Sequence, residues 1–158
     1  MIIKCLTFSE IKKLYDARKV KKNVRGGITP GCDYVVVSIE CVIELEKECE
    51  TSVRFWIVND KENLLPYDSY NFKIIDSYFP PAWIMDLDER GIGISHPKWV
   101  ETSTESSYLE DYFDDIKVEK EYNKIVKEIF DNSVKAALKK GIQLNLGIKK
   151  LWIERLSD

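Results

Sequence analysis

The chain has 158 residues, of which 44% are hydrophobic and 32% are charged, and its formal net charge at pH 7 is −3. The apolar fraction excludes an intrinsically disordered chain, and only 7 Gly and 5 Pro exclude the collagen-like and low-complexity classes. The longest apolar candidate, Tyr34 to Leu45, is interrupted by three polar residues and is too short for a transmembrane helix. Since the N-terminus also turns polar too early for a signal peptide, we expect a cytoplasmic protein with no membrane contact and a single domain spanning residues 1–158.

The N-terminal segment predicts a short strand over residues 1–6, followed by a helix. Thr7 and Glu10 match a capping box, in which the hydroxyl and the carboxylate each satisfy an unpaired amide at a helix start. Apolar residues then recur at helical spacing, so we expect a helix from Phe8 to about Arg18. The recurring residues are Phe8, Ile11, Leu14 and Tyr15.

Residues 19–32 form a basic, glycine-containing stretch with no hydrophobic period, which predicts a long loop. Either the loop is a simple connector or its basic residues contact an anion. The spacing of a phosphate-binding P-loop is absent.

Alternation of apolar and polar residues predicts most of a sheet. Hairpins are expected where polar turns separate neighbouring strands, and the two prolines at positions 80 and 81 should end a strand. We expect strands over residues 34–45, 52–58, 70–75, 82–87 and 92–95, arranged as an antiparallel meander.

Two further helices and a closing strand are expected in the C-terminal third. Ser107 and Glu110 match a second capping box. A long helix follows from Val118 to Leu138 and should end at Gly141, after two lysines. Residues 142–148 alternate again and favour a last strand, although residues 148–156 also fit a helix. The sequence thus predicts an α+β fold with five to seven mostly antiparallel strands, one long helix and two shorter helices on one face.

The four cysteines, at positions 5, 32, 41 and 49, contain no C-x2-C pair, and the chain has 1 His. This pattern does not predict a structural zinc site. Because no secretory signal is apparent, we expect reduced cysteines in the cytoplasm. No cofactor is expected.

Charge is distributed unevenly along the chain. Residues 1–31 carry 8 Lys and Arg against 2 Asp and Glu, and residues 133–158 carry 6 against 2, whereas residues 32–132 carry 10 against 23. Two interpretations are open. The basic ends fold back on the acidic middle, or the acidic residues share a face and attract a cationic partner.

An acidic strip is the strongest candidate for such a contact. Its four carboxylates fall within one arc of the predicted second helix, and an aromatic residue of the preceding link adds a side chain type that is common at interfaces. We therefore predict partner binding by Trp99, Glu110, Asp111, Asp114 and Asp115.

Catalytic residues are not evident from the sequence, and none is predicted. Asp86 and Asp88 lie two apart on a predicted strand and could hold a divalent cation, but an aspartate is also expected at the turn that follows. His96 is next to Ser95, and neighbouring strand side chains point to opposite sides, so the two do not form a nucleophile–base pair.

These observations predict a non-enzymatic, acidic binding protein, specifically an inhibitor of a basic partner such as a nuclease toxin, in the manner of an immunity protein. The alternative is a small enzyme, metal-dependent through Asp86 and Asp88, that acts on a phosphorylated or nucleotide substrate. Nucleic-acid binding is disfavoured by the net acidity. If it occurred, it would use the basic residues Lys12, Lys13, Lys19, Lys21, Lys22 and Arg25.

Overall fold

The computed structural model describes residues 1–14, 26–44, 50–88, 91–98 and 116–147. Within these ranges seven strands form one sheet, together with two α-helices. The strands are β1 (Ile2–Cys5), β2 (Asp33–Glu44), β3 (Glu50–Val58), β4 (Leu64–Asp68), β5 (Phe72–Asp76), β6 (Ile84–Asp88) and β7 (Gly91–Ser95). The helices are α1 (Phe8–Leu14) and α2 (Ile116–Lys139), and a short 3-10 helix, Ser69–Asn71, joins β4 to β5.

The α+β class and the antiparallel seven-stranded sheet confirm the prediction, but the strand order does not follow a simple meander. The main path is β4-β3-β2-β1-β5, and β7 joins it by pairing with β2, while β6 pairs with β7. Strand β4 was not predicted at all. The predicted strand over residues 70–75 begins at Phe72 because the 3-10 turn takes up the preceding residues.

Strand β2 holds the sheet together because it is much longer than its neighbours. One edge pairs with β3 from Val36 to Glu44. The other edge pairs first with β1, over Val35 to Asp33, and further along with β7, over Ile39 to Val42. Two short strands therefore share one edge of β2, and the β6–β7 hairpin lies beyond the end of β1.

One face of the sheet packs against α2. Apolar residues of α2 recur every three or four positions, which places them on one stripe of the helix. The stripe comprises Tyr122, Ile125, Val126, Ile129, Phe130 and Ala137, all less than 5% exposed, and it contacts Ile2, Val35, Val37 and Val58 of the sheet. The long predicted helix is thus confirmed, and Gly141 (φ 73°) ends it as expected.

The opposite face of the sheet holds a second apolar cluster built around aromatic rings. Phe72 of β5 lies 6.4 Å from the ring of Tyr34, 6.2 Å from that of Phe55 and 6.3 Å from that of Tyr67. Because β5 and β4 are at opposite ends of the strand order, these contacts require the sheet to curl over this cluster. We refer to this side, opposite α2, as the inner face.

The capping box at the start of α1 forms as predicted. The Thr7 backbone N–H donates to Glu10 Oε2 at 2.7 Å, and the Glu10 N–H donates to Thr7 Oγ1 at 3.3 Å. The bonds from Thr7 lower the pKa of the Glu10 carboxyl. Ile11 is 2% exposed, whereas Phe8 is 55% exposed and lies under the Lys12 ammonium at 5.0 Å.

The predicted closing strand is not formed over the described residues 142–147, where a single parallel bridge joins Leu146 to Asp33. Asp33 instead holds this segment by three hydrogen bonds. Its N–H donates to Asn145 O (2.7 Å), its carbonyl accepts from Gly147 N (3.1 Å), and its Oδ2 accepts from Asn145 N (2.7 Å). The carboxylate is 1% exposed and faces Lys4 Nζ at 3.7 Å, so a charged partner offsets part of its desolvation.

Two expectations fall outside the described residues: the second short helix, which would begin near Ser107, and the choice between strand and helix over residues 148–156. Of the cysteines, Cys5, Cys32 and Cys41 are free thiols. No helix among the described residues combines the length and the apolar character that a bilayer crossing requires.

The contact between α2 and the sheet should dominate stability. Ile129→Ala removes a side chain that is 2% exposed, and we expect the free energy of unfolding to fall by about 2–5 kcal/mol because the change leaves a cavity. Urea denaturation followed by circular dichroism measures this loss.

The matched control is Leu138→Ala on the same helix, where the side chain is 58% exposed. We expect a change within about 0.5 kcal/mol. Equal losses for the two variants would contradict the packing described here.

Candidate binding surface

The predicted partner-binding residues, Trp99, Glu110, Asp111, Asp114 and Asp115, all lie outside the described residues. The structure therefore neither brings them together nor separates them. Around this segment, it shows an ion pair between Lys98 Nζ and Glu121 Oε1. That bond and the lysine charge lower the pKa of the Glu121 carboxyl. The described chain before the segment and the described helix after it are thus in contact.

Among the described residues, the two large apolar side chains with the highest exposure both lie on β6. Met85 is 69% exposed and Leu87 is 73% exposed. Ile84 and Ile92 of the same hairpin are 39% and 36% exposed. Single exposed apolar residues are ordinary on protein surfaces, but several on one hairpin are typical of an interaction site.

The register of the strands places Met85 and Leu87 on the inner face. Met85 pairs with Ile94, which pairs with Ile39, and Ile39 pairs with Phe55. Directly paired residues of antiparallel strands lie on the same face. Phe55 and Ile39 are 6% and 8% exposed, respectively, so this row of side chains starts in the inner core and ends at the surface.

The other face of the hairpin is acidic. Asp86 pairs with Gly93, and Gly93 pairs with Glu40, so the two carboxylate residues lie on either side of a glycine. A side chain built at Gly93 would meet nothing within 4 Å, which leaves open space there. Glu40 Oε2 accepts a hydrogen bond from Trp56 Nε1 at 3.3 Å, which orients the carboxylate.

The alternative of a metal site at Asp86 and Asp88 gains no support from this geometry. Among the described residues, no group of three or more His, Cys, Asp or Glu side chains is arranged to hold a metal ion. His96 is also engaged locally, since its Nδ1 accepts the backbone N–H of Lys98 at 3.3 Å.

A partly buried polar network, which the sequence did not indicate, lies at the other end of β2. Tyr34 O–H donates to Asp60 Oδ1 at 2.6 Å and accepts from the Thr29 N–H at 2.7 Å. Thr29 Oγ1 donates to Asp60 Oδ2 at 2.7 Å. A side chain at Gly147 would come within 2.8 Å of both Tyr34 and Asp60, so only a glycine allows this close approach.

A second tyrosine fixes the adjoining loop. Tyr67 O–H donates to the Gly26 carbonyl at 2.8 Å and accepts from Asn59 Nδ2 at 2.9 Å. Both carboxylate oxygens of Asp60 and both tyrosine hydroxyls are therefore satisfied within the protein. A network with its donors and acceptors occupied is built for stability rather than for binding a ligand.

The environment of Cys32 also argues against a reactive thiol. Burial and the negative charges of Asp60 and Asp33 raise the pKa of the Cys32 thiol. A thiolate is the nucleophilic form, so this cysteine is a poor nucleophile at neutral pH.

The β6–β7 hairpin is thus the described surface best suited to binding, and we call it the β6 surface (Ile84–Asp88 and Gly91–Ser95).

Comparisons of the chain with protein families, with curated proteins and with solved structures find no match. The function is therefore argued from the residues and their arrangement.

The polar network predicts a pH dependence of stability. Burial and the neighbouring Asp60 raise the pKa of Tyr34 above its ordinary value of 10.0. The folded state therefore keeps the proton that the unfolded chain releases, and the stability contributed by Tyr34 is complete below about pH 10 and lost above it. We expect Tyr34→Phe to show a shallower loss of stability than the wild type between about pH 9 and 11, measured by urea unfolding.

The control is Tyr78→Phe, at a half-buried tyrosine outside the network. It should retain the steep wild-type loss. At pH 7 Tyr34→Phe should cost about 1–3 kcal/mol because Asp60 Oδ1 loses its donor. If Tyr34→Phe left the free energy of unfolding unchanged both at pH 7 and in the alkaline range, that result would contradict the network.

Proposed function

We propose that the protein is a non-enzymatic binding protein whose partner is a basic protein, and that it inhibits this partner as an immunity protein inhibits a nuclease toxin. The β6 surface carries the proposal: it combines exposed apolar side chains with carboxylates on one hairpin. Apolar area supplies affinity, and the carboxylates favour a cationic partner.

The charge distribution of the chain supports a basic partner. Residues 32–132, which include the β6 surface and the predicted acidic strip, carry 23 Asp and Glu against 10 Lys and Arg. A field of one sign accelerates association with an oppositely charged protein. An acidic surface also competes with a nucleic-acid backbone for the basic site of a nuclease.

The proposal includes a cytoplasmic location. Free thiols at Cys5, Cys32 and Cys41 are consistent with a reducing compartment. The proposal also retains Trp99, Glu110, Asp111, Asp114 and Asp115 as partner-binding residues, on the strength of the sequence.

The proposal predicts a salt-sensitive complex. The immobilised full chain should retain a basic protein from lysate of its source organism at low salt and release it at high salt, since screening weakens attraction between exposed charges. The retained protein should lose its nuclease activity when the chain is added in a one-to-one ratio.

Variants separate a specific acidic contact from general acidity. The triple change Asp111→Asn, Asp114→Asn and Asp115→Asn should reduce retention by about tenfold or more, because truncating interface charges costs both affinity and association rate. The matched triple change Glu62→Gln, Glu128→Gln and Asp131→Asn alters net charge equally at exposed sites elsewhere and should retain the partner. Equal loss in both variants, or an empty wild-type eluate, would argue against the proposed function.

A further inference from the structure

Strand β6 is an edge of the sheet that lacks the usual protection against pairing. Within the described residues, β4, β5 and β6 each pair with only one strand. Edge strands are commonly protected by proline, which has no N–H to donate, or by lysine. Strand β4 contains Pro66 and β5 contains Lys73, whereas β6 has the sequence Ile-Met-Asp-Leu-Asp and contains neither.

The two faces of β6 differ in chemistry. Met85 and Leu87 continue the apolar inner face. They are the most exposed large apolar side chains among the described residues, at 69% and 73%, respectively. Asp86 lies on the other face, as does Ile84. An added strand sets its own alternating side chains beside these two rows, because strand side chains alternate between faces.

Open space beside Asp86 leaves room for a cationic side chain on an added strand. Strands in a sheet are about 4.8 Å apart, so a lysine or arginine on a strand next to β6 lies beside Asp86. Asp86 pairs with Gly93, where a side chain would meet nothing within 4 Å. An opposite-charge pair between neighbouring strands stabilises their pairing.

We propose that β6 is the docking edge for the basic partner, and that the partner adds an extended segment in which lysine or arginine alternates with apolar residues. The segment's apolar side chains cover Met85 and Leu87, and a cationic side chain lies beside Asp86. Backbone hydrogen bonds along the edge give affinity and the alternation gives specificity. This inference rests on the proposed function and names the chemistry that the partner presents.

Electrostatic repulsion makes a second copy of this chain a worse occupant of the β6 edge than a basic segment. Any pairing of two β6 strands that joins their Met85 and Leu87 rows on one face also brings Asp86 of both copies to the other face. Like charges at neighbouring cross-strand positions destabilise such a pair. A basic strand removes that repulsion and replaces it with attraction.

The test uses the full chain and synthetic peptides of about eight residues, followed by isothermal titration calorimetry. A peptide of alternating Lys and Val should bind. A peptide of alternating Glu and Val should not bind, and a peptide with the same Lys and Val content in two blocks should bind at least about tenfold more weakly. Equal affinity for the alternating and the blocked Lys peptides would overturn the inference, since it would reflect charge alone.

Variants locate the binding edge. Leu87→Lys and Asp86→Lys should each weaken binding of the alternating peptide by about tenfold or more. Ile74→Lys is the matched control for Leu87→Lys, because Ile74 is 52% exposed on edge strand β5 and its change adds the same charge. Circular dichroism checks that all three variants are folded. An equal loss with Ile74→Lys, or wild-type affinity with Leu87→Lys, would overturn the assignment to β6.

Two outcomes separate this inference from the proposed function. If the Leu87→Lys chain retains the basic protein from lysate as well as the wild type does, the β6 assignment is wrong, and the proposed function then rests on the retained partner, the charge distribution and the predicted acidic strip. If sedimentation velocity shows a wild-type dimer that Leu87→Lys dissociates, a second copy occupies the edge and the inference is overturned.

Discussion

The pairing of one long strand with two short strands along the same edge determines most of this structure. Strand β2 carries β1 near its start and β7 near its end, so the sheet divides into two halves. Helix α2 packs on residues of the first half, around Ile2 and Val35. The second half extends beyond β1 and ends at β6. The register shift between Val36 and Ser38 occurs between these halves and keeps Ile39 on the inner face with Val36, although the two residues are three apart.

Sequence periodicity correctly predicted the helices and strands in which the buried residues recur at the spacing typical of the element. The alternation in β2 and the three-to-four spacing in α2 are strong because the apolar positions of both elements line the core. Strand β4 was missed because it is only five residues long and contains Pro66, which argues against a strand. Residues 142–147 alternate like a strand, but their backbone hydrogen bonds go to Asp33 at its buried carboxylate and main chain. Such a contact joins residues more than 100 positions apart, and no local pattern reports it.

The candidate site was harder to predict than the fold. Met85 and Leu87 fit the core-facing positions of an alternating strand, and the sequence does not reveal that this part of the inner face is left uncovered. Their exposure depends on which strand lies outside β6, which is a property of the strand order. The sequence presents Asp86 and Asp88 as a weak candidate for a metal site. In the structure, Asp86 instead pairs with Gly93, which in turn pairs with Glu40, on the acidic face of the hairpin. The sequence-based acidic strip, Glu110 to Asp115, falls on residues that the structure does not describe.

The central claim is that a basic partner pairs with the exposed edge of the sheet. Hydrogen–deuterium exchange of the full chain, with and without the basic protein that it retains, tests this directly because new strand pairing protects edge amides. The account predicts slower exchange over Ile84–Asp88 in the complex, with the amides of β4 and β5 unchanged. Unchanged exchange over Ile84–Asp88 in the saturated complex would contradict it.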